Sequence, residues 1–260
     1  MYLFFSLIVF VFGLMVGSFL NCLIYRLEKE ESFLKGRSYC PNCKHVLSWQ
    51  DLIPVLSFFA LQRKCRYCQK PISWQYPLVE ILTGSIFLLI FNQFSIFSLL
   101  TVIYYLIISS FLIVIFVYDL KYSLIPDIII YPAIILSFLF RLLEVREIGN
   151  FQLLTSPLFS AFSASLFFGA IVLVSKGRWM GSGDIGLAFL MGLILGWPNI
   201  LVALMLAFFI GAIIGTGLII FRGKTLKSEI PFGPFLVVGT YVAIFWGQNV
   251  VNWYLSLCLI

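Results

Sequence analysis

Residues 96–119 read IFSLLTVIYYLIISSFLIVIFVYD, 23 residues without a charge closed by Asp119. About 20 apolar residues in a helix cross the hydrocarbon of a bilayer, so this run is long enough to span and meets its first charge at the far edge. Comparable apolar runs lie at about 2–24, 77–92, 127–143, 156–175, 184–197, 199–221 and 232–252. With the opening run they make eight spans. The run at 184–197 is short and Asn252 interrupts the end of the last, which leaves seven or nine open.

Composition points the same way. Apolar and aromatic residues make up 62% of the 260 positions, with 28 Phe, whereas charged residues make up 11%, against roughly 25% in a soluble domain. There is too little polar surface to cover a water-soluble fold, so the excess must face lipid. The expected class is an all-α polytopic membrane protein: residues 1–25 a first helix, 26–75 a loop, and 76–260 a helical core. A cleaved signal peptide is the alternative for the first helix, but the stretch lacks a basic start and a small-residue cleavage pattern.

Nine of the 17 Lys and Arg residues lie between Arg26 and Lys70. If that loop is cytoplasmic, eight alternating spans also bring Lys121, the Lys176/Arg178 pair and the cluster Arg222, Lys224, Lys227 to the same side. Only Arg141 and Arg146 are then outside, which satisfies the positive-inside bias and places both termini outside. The net charge of +6 thus follows from topology and an anionic inner leaflet, and no nucleic-acid partner is expected.

The loop carries Cys40-Pro-Asn-Cys43 and Cys65-Arg-Tyr-Cys68, two CxxC pairs 21 residues apart. Four thiolates so spaced can surround one tetrahedral Zn²⁺. Disulfides are the alternative, disfavoured in a reducing compartment. A closed four-sulfur shell leaves no position for substrate, so its expected role is to fold a loop too small to hold a hydrophobic core. His45 stands beside this set as a bystander, since four sulfurs already complete the shell.

Acidic residues near the spans are few. Asp119 closes one span, and Asp184 opens another in Gly181-Ser-Gly-Asp184, 65 residues later. The same alternation puts both at the cytoplasmic edge, where two carboxylates on different helices can perform acid and base steps. The plainer alternatives are that Asp184 caps a helix and Asp119 is a solvated boundary residue. Asp127 after Pro126 reads as an ordinary helix start. Glu80 lies one turn into the second span, placed to orient a polar partner, and Pro231-Phe-Gly233-Pro234 opens the last span in a position to line a cavity. No helical HExxH or GxSxG occurs, and the glycines follow no strand pattern of a nucleotide site.

Taken together these blocks resemble the type IV prepilin leader peptidases of pilus assembly, type II secretion and competence systems. The resemblance runs through Gly17-Ser-Phe-Leu-Asn21 and Ile24-Tyr-Arg-Leu27, through Trp49-Gln-Asp-Leu-Ile-Pro54-Val-Leu-Ser57 between the cysteine pairs, and through Ile72-Ser-Trp-Gln-Tyr-Pro-Leu-Val-Glu80. It continues through Asp119-Leu120, Ile125-Pro-Asp127, Asp184 and Pro231-Phe-Gly-Pro-Phe235. One departure is Trp74, where the family more often has a small or charged residue. The resemblance implies a membrane aspartyl protease with Asp119 and Asp184 as its catalytic pair. Its substrates would be prepilins or pseudopilins, cut at the cytoplasmic face of a bacterial inner or plasma membrane, typically between a glycine and a phenylalanine. Many members then methylate the new amino group with S-adenosylmethionine, an activity associated with the cysteine loop. Glu28, Glu30 and Glu31 are available to meet a basic leader, or are simply solvated charges. Outside the family two readings stay open: an ion-coupled transporter with the aspartates in its path, and a non-catalytic assembly scaffold.

Overall fold

The computed structural model describes residues 2–32, 36–94, 98–222 and 231–258, and among these it is helical apart from turns and two isolated bridges. The helices are α1 (Tyr2–Glu28), α2 (Leu56–Ala60), α3 (Gln75–Phe94), α4 (Leu99–Tyr122), α5 (Asp127–Ile148), α6 (Gln152–Ser175), α7 (Ser182–Leu195), α8 (Asn199–Arg222) and α9 (Gly233–Cys258). Among the described residues seven of them, all but α2 and α7, are long and apolar enough to cross a membrane. The short run read from the sequence is α7, whose 14 residues reach about 21 Å, against a hydrocarbon thickness of about 30 Å. Lys224, Lys227 and Glu229 lie outside the described residues.

Helices outrun the apolar stretches that announce them. Asn252 does not end α9, because it lies on the same helix face as Gln248, whose Nε2 donates to Asn252 Oδ1 at 3.1 Å. The fifth helix likewise passes through Arg141, Glu144 and Arg146 before Gly149 stops it in the left-handed region at φ 71°. Arg141 is buried. Its Nε donates to the Leu193 carbonyl at 3.0 Å, its second terminal nitrogen bonds the Ile194 carbonyl, and Glu144 pairs with its guanidinium at 2.6 Å. Those carbonyls are orphans of the α7 C-terminus, so a cation that breaks the charge bias of the sequence serves as a helix cap.

The chain packs as two compact units, Met1–Val114 and Ile115–Ile260. In the first, α1 lays Gly13, Gly17, Leu20 and Ile24, spaced as one helical stripe, against α3, and its other faces leave Leu3, Leu7, Val11 and Met15 exposed. In the second, α7 is the central helix, packed by α5, α6, α8 and α9. Leu187, Ala188 and Leu190 to Ile194 are all buried, as expected of a helix apolar all round.

Candidate active site and metal centre

Helix α7 begins at the Gly-Ser-Gly-Asp motif, and Asp184 falls in its first turn with its Oδ2 accepting the Gly181 N–H at 3.2 Å. The capping geometry foreseen for Asp184 is therefore present, and it fixes the carboxylate at the positive end of the helix. Asp119 stands in the last turn of α4. Both residues are buried, 4% and 7% exposed, and close enough that Asp119 bears electrostatically on Asp184. So Asp119 is not a solvated boundary residue: the fold has taken it out of water.

Two glycines and an isoleucine close the site. The start of α9 at Gly233 lies directly against the Asp119 carboxylate. A Cβ at residue 233 would sit 2.6 Å from Asp119 Oδ2, and one at residue 183 would sit 2.9 Å from the Ile125 Cβ. Any side chain at either place would push into the carboxylate or its support. Ile125 also approaches Gly233, its Cδ1 lying 3.4 Å from where that Cβ would stand. It thus wedges the start of α7 and the start of α9 apart. Asp119 Oδ2 is buried and has no hydrogen-bond partner among the described residues. One carboxylate is thus held by a backbone cap while its neighbour keeps an oxygen uncommitted, and two such groups can divide acid and base work between them. Asp127, by contrast, is exposed in the first turn of α5 behind Pro126.

The loop between α1 and α3 is built on a repeat. Cys40 N–H donates to His45 O at 2.9 Å and Lys44 N–H to Cys40 O at 2.9 Å; 25 residues on, Cys65 N–H donates to Lys70 O at 2.9 Å and Gln69 N–H to Cys65 O at 3.0 Å. Lys44 and Gln69 both take positive φ, 59° and 58°. Each CxxC is therefore the same tight knuckle. The four sulfurs lie within 4.8 Å of one another, with Cys40 and Cys68 at 3.9 Å. Tetrahedral zinc with Zn–S of about 2.3 Å requires sulfur separations of about 3.8 Å, so the cage fits the ion. His45 stacks on Tyr67 at 3.7 Å and stands outside the cluster.

Charge in this cage argues for a cation. Burial opposes ionisation of Cys40, but the backbone amides of Cys43 and Asn42 outweigh it and bring its thiol to about 7. Cys43 accepts the His45 amide, yet burial and the adjacent Cys40 and Cys68 sulfurs push it up to about 11. One thiol ionises readily and its neighbour then resists, as crowded sulfurs do, and a bound cation would relieve that repulsion.

Asp51 braces the two knuckles. Its Oδ2 accepts the Ser48 hydroxyl at 2.8 Å and its Oδ1 the Arg66 Nε at 2.8 Å. Burial works against the Asp51 carboxylate, but these donors outweigh it and hold its pKa below the usual value. Glu80 reaches the same loop from α3, its Oε2 accepting the Val55 N–H at 2.7 Å. Val55 adopts φ 62°, ψ −52°, and Leu56 N–H closes on Pro54 O at 2.6 Å. A β-branched residue in this turn costs about 1–3 kcal/mol, so the polar partner foreseen for Glu80 is a strained amide. Of the three glutamates set against a basic leader, Glu31 accepts the Tyr39 hydroxyl and Glu28 pairs with Lys29 at 3.7 Å.

Sequence reasoning missed Ile125 as the wedge and the knuckle repeat as a repeat. The only signal for the first was an apolar residue ahead of Pro126. For the second it was the shared 25-residue offset of the cysteine pairs.

A family model described as the bacterial peptidase A24 N-terminal domain matches residues 11–94, and one described as the type IV leader peptidase family matches residues 106–216. Proteins named prepilin leader peptidase/N-methyltransferase are similar along nearly their whole lengths. That of Aeromonas hydrophila is 32% identical over 98% of this chain and 95% of its own. That of Bacillus subtilis is 30% identical over 97% and 98%. No solved structure matches.

Proposed function

This chain belongs to the type IV leader peptidase family, and on that premise we propose that Asp119 and Asp184 are its catalytic pair and that Cys40, Cys43, Cys65 and Cys68 hold one structural Zn²⁺. It is a multi-pass membrane enzyme that removes the leader of prepilin substrates and methylates the new amino terminus, the two activities for which its relatives are named. The family match leaves the transporter and scaffold readings without support.

Two buried carboxylates that bear on one another electrostatically can share a proton and act as one unit. The ionised member takes a proton from water, whose oxygen attacks the scissile carbonyl carbon. The protonated member gives its proton to the carbonyl oxygen, so a neutral gem-diol forms. The second half reverses the roles: the gem-diol returns a proton to one carboxylate, the C–N bond breaks, and the leaving nitrogen takes a proton from the other. No net proton is consumed at the pair. The observation that carries this reading is the uncommitted, buried Asp119 Oδ2 beside a cap-held Asp184.

Zinc has a fold-holding role here, because a full sulfur shell offers substrate no position. S-adenosylmethionine is the methyl donor of this reading, with its binding residues unassigned. The basic residues of the 26–75 loop favour the cytoplasmic side of the inner or plasma membrane for the loop and for the aspartates. The test is the intact mass of a prepilin incubated with the reconstituted chain, with and without methyl donor. Wild type should give the leaderless mass alone and then that mass plus one methyl. Asp119→Asn and Asp184→Asn should leave prepilin uncut while still methylating leaderless substrate. Cleavage by either variant would remove that residue from the pair.

A further inference from the structure

We propose that the segment around α2, together with Trp74, is an interfacial foot by which the zinc-binding loop rests in the headgroup layer of an anionic bilayer. The observation is a set of large exposed apolar side chains on a loop otherwise rich in charge. Trp49, Leu56, Phe59 and Trp74 are all exposed, Leu56 at 69% and Trp74 at 46%. Exposed apolar side chains gathered on one polar segment mark a contact surface, and their place in the chain tells which.

Trp74 leads directly into α3, the Leu78 N–H donating to its carbonyl at 3.2 Å, so Trp74, Leu78 and Leu82 follow one another at helical spacing on one face. Leu78 and Leu82 are exposed on a helix long enough to span, which makes this the lipid face of α3. The foot continues that face. Buried Phe58 packs on Trp74 at 5.0 Å between ring centres, and exposed Phe59 lies 6.3 Å from the same indole. Lipid contact along α3 therefore passes through Trp74 onto α2.

Its rim carries the matching charge. The Arg63 guanidinium lies over the Trp74 ring at 4.9 Å, and Lys64 and Lys70 are exposed nearby in sequence. Indole at the water boundary with cations beside it suits an interfacial, rather than spanning, position on an anionic membrane. Glu80 sets the height of the foot: it anchors the Val55 turn to α3, and that turn presents Leu56 and Phe59 outward. Trp74 acquires a role on this reading that does not depend on the aspartates.

The experiment uses the full chain in nanodiscs of phosphatidylethanolamine and phosphatidylglycerol, with a benzophenone amino acid at position 56 or, in a second variant, at position 59. Position 67, on the zinc knuckle, is the control, and zinc content identifies folded samples. After illumination the expected result at 56 and 59 is an intact mass raised by one phospholipid, with no such rise at 67. Wild-type chain in the same discs, exposed to hydroxyl radicals, should show Leu56 and Phe59 protected relative to Tyr67, which requires no substitution. Equal lipid adducts at all three positions, adducts to protein or added prepilin in place of lipid, or oxidation of Leu56 and Phe59 as strong as that of Tyr67 would overturn the proposal.

Discussion

The thiolate loop and the aspartate pair both gather groups that would rather carry negative charge, and they deal with that charge in opposite ways. In the loop the polar groups are answered locally: two knuckles repeat the same backbone hydrogen bonds, and Asp51 is satisfied by Ser48 and Arg66. Four sulfurs within 4.8 Å of one another form a cage that one cation would fit. At the aspartates the answer is left incomplete: one oxygen of Asp119 is buried without a partner among the described residues. A satisfied shell builds structure and an unsatisfied one can do chemistry, so each centre should fail in its own way when perturbed.

The largest effect expected is a double dissociation. Asp119→Asn or Asp184→Asn should lower leader cleavage by at least about 10²–10⁴-fold, the range for loss of an acid–base group, and leave one equivalent of zinc bound. Asp127→Asn should keep substantial cleavage, since Asn is also accepted near a helix start. Replacing both cysteine pairs with serine should abolish metal binding and expose the loop to protease. Reading rate, zinc content and loop proteolysis on the same preparations checks all three. Zinc loss in the aspartate variants would break the contrast.

Next comes Gly233→Ala, whose Cβ would meet Asp119 Oδ2 at 2.6 Å. The carboxylate must move, and a displacement of about 1 Å at a catalytic group costs on the order of 10²-fold. Gly217→Ala is the matched control, because no described residue lies within 4 Å of its added carbon. Comparing cleavage rates of the two variants at equal thermal stability tests whether the site is set by that approach.

Acid should separate the centres again. Zinc needs thiolates, and protons compete for Cys43 below about 11 and for Cys40 below about 7, so metal affinity should fall progressively as pH drops across that range. Equilibrium dialysis against a zinc buffer across the pH range measures this. A flat profile would mean that the sulfurs are not the ligands.

The smallest effect belongs to Asp51→Asn. Its depressed folded pKa means the Asp51 contribution is full above the unfolded value of about 3.9 and is lost as pH falls through the folded one. At neutral pH the substitution should cost no more than about 1 kcal/mol, because Arg66 is partly exposed. Denaturation of the zinc-loaded chain would show it, and a larger loss would make Asp51 integral to the cage.

Legibility in the sequence followed the distance over which each feature is decided. Spans and knuckles are local: a long uncharged apolar run favours a spanning helix on its own account, and CxxC carries its own turn. Helix ends were less legible, because α5 continues through Arg141 for the sake of carbonyls at Leu193 and Ile194, 52 and 53 positions away. The aspartates stood out because charge is rare near spans, but the Ile125 wedge could not, since its partners Gly183 and Gly233 are remote in the chain and its own type is commonplace. Glu80 showed as an anomaly without an object, and only the folded Val55 turn supplies one.

The closeness of α1 and α3 has a consequence for synthesis. The two helices pack together, yet 46 residues separate Glu28 from Gln75. At about 5–20 residues per second the ribosome needs roughly 2–9 s to deliver the start of α3 after the end of α1. Throughout that interval the first helix sits in lipid without its partner, and both cysteine pairs emerge before α3 is complete. A metal captured then would draw the ends of the tether together and lower the entropy cost of pairing the helices. Zinc supply would in that way govern how promptly a newly made chain matures.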